Sequence, residues 1–189
     1  MKKLLSLLLV GAALLATSAQ AADNSIVLPT IEGKKIHVKG TDNGLDFEEY
    51  RGRVVFLEFW GTHCPPCLIS VPNYIKLKKK FKDKLAIVAI EVQDTPADKL
   101  KKFAEAKGIN YDVVPYRDAY SFVNYVAKRA GWKGSIPFLM ILDKSGNVVT
   151  MQVGLLNEKA LEGIVEKLSE MPATPAKKAE TNSSKPAEK

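Results

Sequence analysis

A predicted strand that leads directly into two closely spaced cysteines and then into a helix restricts the fold of this chain more than any other feature. Residues 54–59 (VVFLEF) form an unbroken β-branched and aromatic run, which is typical of a strand buried on both faces of a sheet. Residues 68–81 repeat apolar side chains at helical spacing, and Pro72 is expected to kink that helix. Cys64 and Cys67 lie between the two elements, so we expect them where the strand ends and the helix begins.

Alternating strands and helices continue over the rest of the chain. Further strands are predicted at residues 85–92, 111–114, 138–142 and 148–153, and further helices at residues 95–107, 119–130 and 157–168. Thr95 is expected to cap the first of these helices, with Pro96 as its first residue, and Asn157 to cap the last. Residues 22–50 carry signals for a small N-terminal β-hairpin. This order predicts an α/β fold with a central mixed sheet flanked by helices, whose last two strands are antiparallel.

The two cysteines are the only ones in the chain, and they lie three positions apart. A structural disulfide stabilises mainly by closing a long loop, and a bridge between Cys64 and Cys67 would close almost none. The spacing therefore favours a redox couple, with a purely structural disulfide as the alternative. Because a helix N-terminus stabilises a thiolate, we expect Cys64 to attack a substrate disulfide. Cys67, one turn further in, is then expected to resolve the mixed disulfide.

The residue types disfavour a metal or haem site. A structural zinc site needs four Cys or His ligands, and the chain offers two cysteines with only His37 and His63. Attachment of a c-type haem requires a histidine directly after the second cysteine, and Leu68 occupies that position. We therefore expect no metal and no cofactor.

Two further residues stand out near the cysteine pair. Glu58 lies inside the apolar strand, six residues before Cys64, where a carboxylate is costly without a partner or a function. We interpret it as a buried acid of raised pKa that exchanges a proton with Cys67, and the alternatives are an exposed strand face or a lysine partner. Pro137 precedes the strand at residues 138–142, as a cis proline in a tight turn does.

Charge and the chain ends indicate where the protein works. The net charge is +7, but much of it lies in Lys2, Lys3 and the C-terminal lysines, so a nucleic-acid partner is not expected. Residues 1–21 have the basic start, apolar stretch and small-residue cleavage site of a secretory signal peptide, with an uncleaved membrane anchor as the alternative. Residues 22–171 then form the domain, exported to the periplasm or beyond, where disulfides persist. Residues 172–189 lack large apolar side chains and are predicted to be a disordered tail.

These features together resemble the thioredoxin superfamily, and closely its exported TlpA-like branch, which includes ResA and the thioredoxins of cytochrome c maturation. Residues 52–67 (GRVVFLEFWGTHCPPC) are similar to that branch's strand and active-site turn. Residues 135–149 (SIPFLMILDKSGNVV) are similar to its cis-proline strand and the following hairpin. The resemblance implies a thioredoxin fold with an extra strand and helix between Val92 and Ala130.

The resemblance also implies roles for individual residues. Pro137 would pack against the cysteines, and Ile136 would offer its backbone to an extended substrate. Trp60 and His63 flank the motif and are expected to bind substrate as well. His63 stands where many relatives have a tryptophan, and a histidinium there would stabilise the Cys64 thiolate. In the same way, Ser70 stands where the ResA type carries a functional glutamate, and Glu58 matches the buried acid of ordinary thioredoxins.

The leading functional hypothesis is an exported thiol–disulfide oxidoreductase that acts through Cys64 and Cys67. It would reduce disulfides of exported proteins such as apocytochrome c, act as a monomer and be recharged by a membrane electron carrier. One alternative is a disulfide oxidant or isomerase, with which the CPPC sequence and His63 are compatible. The other is a thioredoxin-fold binding module without redox turnover.

Overall fold

The computed structural model describes residues 25–173. The predicted signal peptide at residues 1–21 lies outside the described residues, as does all but the first two residues of the predicted tail. The strands are β1 Ile26–Pro29, β2 Lys35–Gly40, β3 Leu45–Phe47, β4 Val54–Trp60, β5 Leu85–Glu91, β6 Asp112–Val114, β7 Phe138–Leu142 and β8 Val148–Val153. The helices are α1 Pro65–Phe81, α2 Ala97–Lys107, α3 Tyr116–Ala130 and α4 Glu158–Glu170.

A five-stranded mixed sheet in the order β6-β5-β4-β7-β8 forms the centre of the fold. β4 is parallel to β5 and antiparallel to β7, and β5 is parallel to β6. All residues of β4 and β5 are buried, as their continuous apolar runs predict. The predicted central mixed sheet with an antiparallel final pair is therefore confirmed.

Helices cover one face of this sheet, and a helix with a second small sheet covers the other. Side chains of α1 and α4 pack on Phe56 and its neighbours, and α2 packs beside the cysteine pair through Leu100. On the opposite face, α3 and strands β1–β3 pack on Leu57 and Phe59. Among residues 25–173, no helix is long and apolar enough to cross a membrane.

The N-terminal region has one strand more than predicted. β1 and β2 form the predicted antiparallel hairpin, and β3 pairs with β2 to make a three-stranded sheet. β3 has only three residues, Leu45 and Phe47 facing the core and Asp46 between them. A pattern this short is indistinguishable from a loop in the sequence, and only its pairing with β2 makes it a strand.

The start of α2 also differs from the prediction. Its N-cap is Pro96 and its first residue is Ala97, and no side chain caps it. The Thr95 hydroxyl donates instead to the buried carboxylate of Glu91 at 2.8 Å. Thr95 as N-cap and Pro96 as first helical residue were therefore wrong, because a tertiary partner takes the hydroxyl that a local cap would need.

The cysteine pair lies at the boundary between β4 and α1, and the residues around it suit the end of a strand and the start of a helix. β4 ends at Trp60, and α1 begins at Pro65 with Cys64 as its N-cap. Pro65 and Pro66 occupy the first helical turn, where amides lack helical partners and a missing N–H costs little. α1 continues through Pro72 to Phe81, and the kink at Pro72 stays a prediction.

Candidate active site

Cys64 and Cys67 lie at the N-terminus of α1, joined by a disulfide, with their Cα atoms 5.2 Å apart. Cys64 is 6% exposed and Cys67 is 1% exposed, so Cys64 is the more exposed residue of the pair. The backbone amide of Cys67 donates to the Cys64 sulfur at 3.3 Å. An amide aimed at this sulfur, together with the positive end of the helix dipole, stabilises negative charge on Cys64 once the disulfide is reduced.

The loop before β7 packs against the cysteines. The Ile136–Pro137 peptide bond is cis, and Ile136 packs against the cluster that contains Cys64 and Cys67. Trp132 shapes this loop, because its indole N–H donates to the Ser135 carbonyl at 2.7 Å and its ring stacks on Phe138. Among the described residues, Ile136 makes no backbone hydrogen bond, so its backbone is available to an extended ligand.

Apolar side chains that sequence reasoning missed surround this site. Ile69 is 59% exposed on the first turns of α1, beside the exposed Pro65 and Pro66. Leu155 is exposed in the loop after β8, which lies against Pro137 because the Gly154 amide donates to the Pro137 carbonyl at 2.8 Å. Ile69 breaks the apolar spacing of α1, a usable signal, whereas nothing local distinguishes Leu155.

Glu58 is buried in the middle of β4, between Ala89 of β5 and Leu139 of β7. It is 1% exposed, and no lysine pairs with it among residues 25–173, so both alternatives to a buried acid are excluded. Burial raises the pKa of Glu58 to about 8, and a hydrogen bond with Tyr74 opposes that rise. One carboxyl oxygen, Oε1, has no partner within the described part of the chain.

The position of Glu58 relative to Cys67 follows from the alternation of β4. Glu58 shares a sheet face with Phe56 and Trp60, and α1 covers this face with Cys67 and Tyr74 on its buried side. The predicted burial and raised pKa agree with this geometry. Proton exchange between Glu58 and Cys67 stays a prediction.

Trp60 lies beneath the motif instead of on its surface. It is 1% exposed and packs on Phe103, with ring centroids 5.8 Å apart. This burial places the Trp60 side chain out of reach of the surface in the oxidised form, and its role in binding substrate stays a prediction. Its place in β4 explains the burial, since the strand remains between two covered faces until it ends.

His63 is exposed, and the β5–α2 loop holds the turn that carries it. The His63 amide donates to the Gln93 side-chain oxygen at 2.8 Å, and Nδ1 of the ring lies 2.9 Å from the Thr62 hydroxyl. Gly61 permits this contact, because a Cβ there would lie 2.1 Å from the same Gln93 oxygen. Sequence reasoning missed Gln93, which reaches the motif because the parallel strands β4 and β5 end side by side.

Within residues 25–173, there is no group of three or more His, Cys, Asp or Glu side chains that could hold a metal ion. The site therefore offers two sulfurs, a buried acid and an exposed imidazole as its chemical groups.

Comparisons with known proteins agree with this geometry. Residues 27–158 match the model of the AhpC/TSA family. The thiol-disulfide oxidoreductase ResA of Bacillus thuringiensis is 30% identical over 146 residues, covering 77% of this chain and 75% of that protein. The thioredoxin-like protein YneN of Bacillus subtilis is 32% identical over 147 residues, covering 76% and 75%.

Solved structures share the fold at lower identity. A thioredoxin-family thiol:disulfide interchange protein of Chlorobium tepidum has a TM-score of 0.59 at 22% identity, covering 77% of this chain and 93% of that chain. StoA of Bacillus subtilis has a TM-score of 0.56 at 18% identity, covering 76% and 97%. The predicted thioredoxin fold is thereby confirmed.

Proposed function

This thiol–disulfide oxidoreductase belongs to the AhpC/TSA family of thioredoxin-like proteins, and we propose that it reduces disulfides of exported proteins. The observation that carries the proposal is a two-cysteine couple at a helix N-terminus, packed against a cis-proline loop and set over a buried acid. The more exposed residue, Cys64, is available to a client disulfide, and the fully buried Cys67 is protected until the mixed disulfide forms.

The proposed reaction starts from the reduced pair. The Cys64 thiolate attacks one sulfur of the client disulfide, which breaks the client S–S bond and forms a mixed disulfide. The departing client sulfur leaves as a thiolate and takes up a proton from water. Cys67 then attacks the Cys64 sulfur as a thiolate, releases the second client sulfur and forms the Cys64–Cys67 disulfide. Two electrons thus pass from the pair to the client.

Glu58 is proposed to accept, in its ionised form, the proton that Cys67 must lose before it attacks. Burial raises the pKa of Glu58 to about 8, much nearer to the value of about 8.5 for an ordinary thiol, so Glu58 is a stronger base toward a thiol than an exposed carboxylate is. No exposed acid offers this match, because an ordinary glutamate has a pKa of about 4.3.

The surface around Cys64 supports a protein client. Ile69, Leu155 and the two motif prolines present apolar area, and the free backbone of Ile136 can pair with an extended segment as a β-strand does. Export is supported by the signal-like residues 1–21. Apocytochrome c as the client rests on the resemblance of the motif to the TlpA-like branch.

Each turnover leaves the pair oxidised, so a reductant must supply two electrons. We propose a membrane electron carrier for this step, because an exported protein has no access to cytoplasmic reductants. The position of His63 beside Cys64 favours one competing function, a disulfide oxidant, since an imidazolium there would stabilise the reduced form of the couple.

The reduction potential of the couple separates these two functions. The purified protein is equilibrated against defined thiol buffers, and the oxidised fraction is read by alkylation of free thiols. A potential at or below about −230 mV, the range of thioredoxins and glutaredoxins, is expected for a reductant. A potential near about −120 mV would contradict the proposal and identify an oxidant.

The roles of the two cysteines are tested with a peptide that carries one disulfide. We expect Cys64→Ser to abolish peptide reduction because it removes the attacking sulfur. Cys67→Ser, the matched control, should still attack but remain trapped as a mixed disulfide visible by mass spectrometry. Reduction at the native rate by Cys64→Ser would show that the motif is not the reacting group.

A further inference from the structure

A chain of hydrogen bonds joins a buried carboxylate at the end of β5 to the imidazole that precedes Cys64. Glu91 is fully buried, and its Oε1 accepts a hydrogen bond from the Thr95 hydroxyl at 2.8 Å. The Thr95 hydroxyl lies 2.9 Å from the Thr62 hydroxyl. The Thr62 hydroxyl in turn lies 2.9 Å from Nδ1 of His63.

The number of protons available on each group fixes which partner donates in every one of these hydrogen bonds. Glu91 acts as an acceptor on both oxygens, because Oε1 accepts from the Gln93 amide at 3.2 Å and Oε2 from the Thr95 amide at 3.0 Å. A threonine hydroxyl has one proton to donate. Thr95 donates that proton to Glu91, so it must accept from Thr62. Thr62 has then used its own proton and can only accept from His63, which requires a proton on Nδ1.

We propose that Glu91, Thr95 and Thr62 are positioning residues that hold His63 as its Nδ1–H tautomer and leave Nε2 to bind and release a proton beside Cys64. Protonation of Nε2 turns the ring into an imidazolium one residue from the attacking sulfur. A positive charge there favours the Cys64 thiolate, on which both directions of disulfide exchange depend.

The same loop also fixes the backbone of His63, so the residue is held both at its main-chain amide and at Nδ1 of its ring. The side-chain oxygen of Gln93 accepts a hydrogen bond from the His63 amide at 2.8 Å, and the Gln93 side chain packs against Gly61. Asp94, the next residue of the loop, is held by Arg117 through two hydrogen bonds of 2.8 and 3.0 Å.

The proposal rests on the oxidoreductase activity of the motif and is independent of the direction of electron flow. A measured potential near that of strong oxidants would overturn the proposed reducing role and leave this inference intact. Failure of the proposed reducing role and failure of the His63 inference are therefore distinguishable.

The tautomer of His63 is read directly by two-bond ¹⁵N–¹H correlation NMR on the labelled protein, at a pH where the ring is neutral. The only other histidine, His37, is identified with a His37→Gln variant. We expect the proton of His63 on Nδ1, whereas free histidine prefers it on Nε2.

Thr95→Val tests the chain without changing any group that touches the ring. The substitution frees the Thr62 proton to bond with Nδ1, so the tautomer ratio should move toward Nε2–H by about fivefold, the effect of one ordinary hydrogen bond. Thr95→Ser is the matched control and should keep the Nδ1–H tautomer. Thr62→Val, which removes the last link, should move the ratio in the same direction as Thr95→Val.

The consequence for the thiol is measured as the alkylation rate of Cys64 in a reduced Cys67→Ser background. Thr95→Val and His63→Ala should slow alkylation, and the double variant should be no slower than His63→Ala alone. The proposal is overturned if the wild-type ring carries its proton on Nε2, or if Thr95→Val leaves the tautomer unchanged. It is equally overturned if the tautomer changes while Cys64 reacts at its original rate.

Discussion

A carboxyl group at the centre of the main sheet ties the stability of this protein to pH. Glu58 is buried between β5 and β7, and burial raises its pKa from 4.5 to about 8. Between these two values, the folded state keeps a proton that the unfolded state releases. The stabilisation from this proton is complete below the unfolded pKa and is lost as the pH rises through the folded pKa.

Glu58→Gln should remove this pH dependence. The free energy of unfolding of the wild type should fall by up to about 1.4 kcal/mol per pH unit between pH 5 and 8 because of Glu58. The variant lacks the titrating group, so its curve should be flatter over this window and lie above the wild type at pH 8. Urea unfolding at successive pH values measures both curves.

A neutralised surface acid provides the control for this experiment. Glu105 is exposed on α2, and Glu105→Gln should keep the wild-type slope. A Glu58→Gln variant with that same slope would mean that the buried carboxyl does not titrate in this window.

Helix starts in this protein show how local and tertiary demands compete for one side chain. α4 begins after Asn157, whose side-chain oxygen accepts from the Ala160 amide at 2.8 Å, as predicted. α2 has an equally suitable residue in Thr95, but that hydroxyl bonds to Glu91. The cap forms where no buried acceptor is nearby.

Asn157→Ala should lower the free energy of unfolding by about 1 kcal/mol, because the Ala160 amide loses its partner. Chemical denaturation followed by circular dichroism measures the change. Asn157→Ser restores a capping oxygen and should recover most of the loss. Equal stability of Asn157→Ala and the wild type would mean that water replaces the cap at no cost.

At the scale of the whole molecule, the small N-terminal sheet is part of the main core. Phe47 of β3 is buried and contacts the ring of Phe122 on α3, with centroids 6.3 Å apart. Lys34 and Tyr50 add a polar link, since both bond to Asp112 of β6. The N-terminal strands and the five-stranded sheet are therefore expected to unfold together.

Phe47→Ala should destabilise the entire described domain by about 3–5 kcal/mol, because it removes a large buried ring. Fluorescence of the two tryptophans, Trp60 and Trp132, reports on the main sheet, and far-ultraviolet circular dichroism reports on all elements. Both transitions should shift together. Val27→Ala at an exposed site of β1 should change neither, and a shift in only one signal would contradict a single cooperative unit.

Much of the architecture was predictable because its signals are local. The continuous apolar runs of β4 and β5 indicated central strands, and the proline-rich turn between Cys64 and Cys67 indicated a helix start. The spacing of Cys64 and Cys67, which is also a local signal, indicated a redox couple. These patterns involve only residues that are close in sequence, so they can be recognised in one amino-acid sequence without its structure.

Other features were decided only by contacts between distant segments. Trp60 is buried because α2 covers it, β3 is a strand because β2 pairs with it, and Leu155 reaches the site through the bond from Gly154 to Pro137. The sequence by itself thus determined which residues carry the thiol chemistry and where strands and helices alternate. The tertiary structure decided the pKa of Glu58 and the environment of His63, because both depend on desolvation and hydrogen bonds supplied by residues remote in the chain.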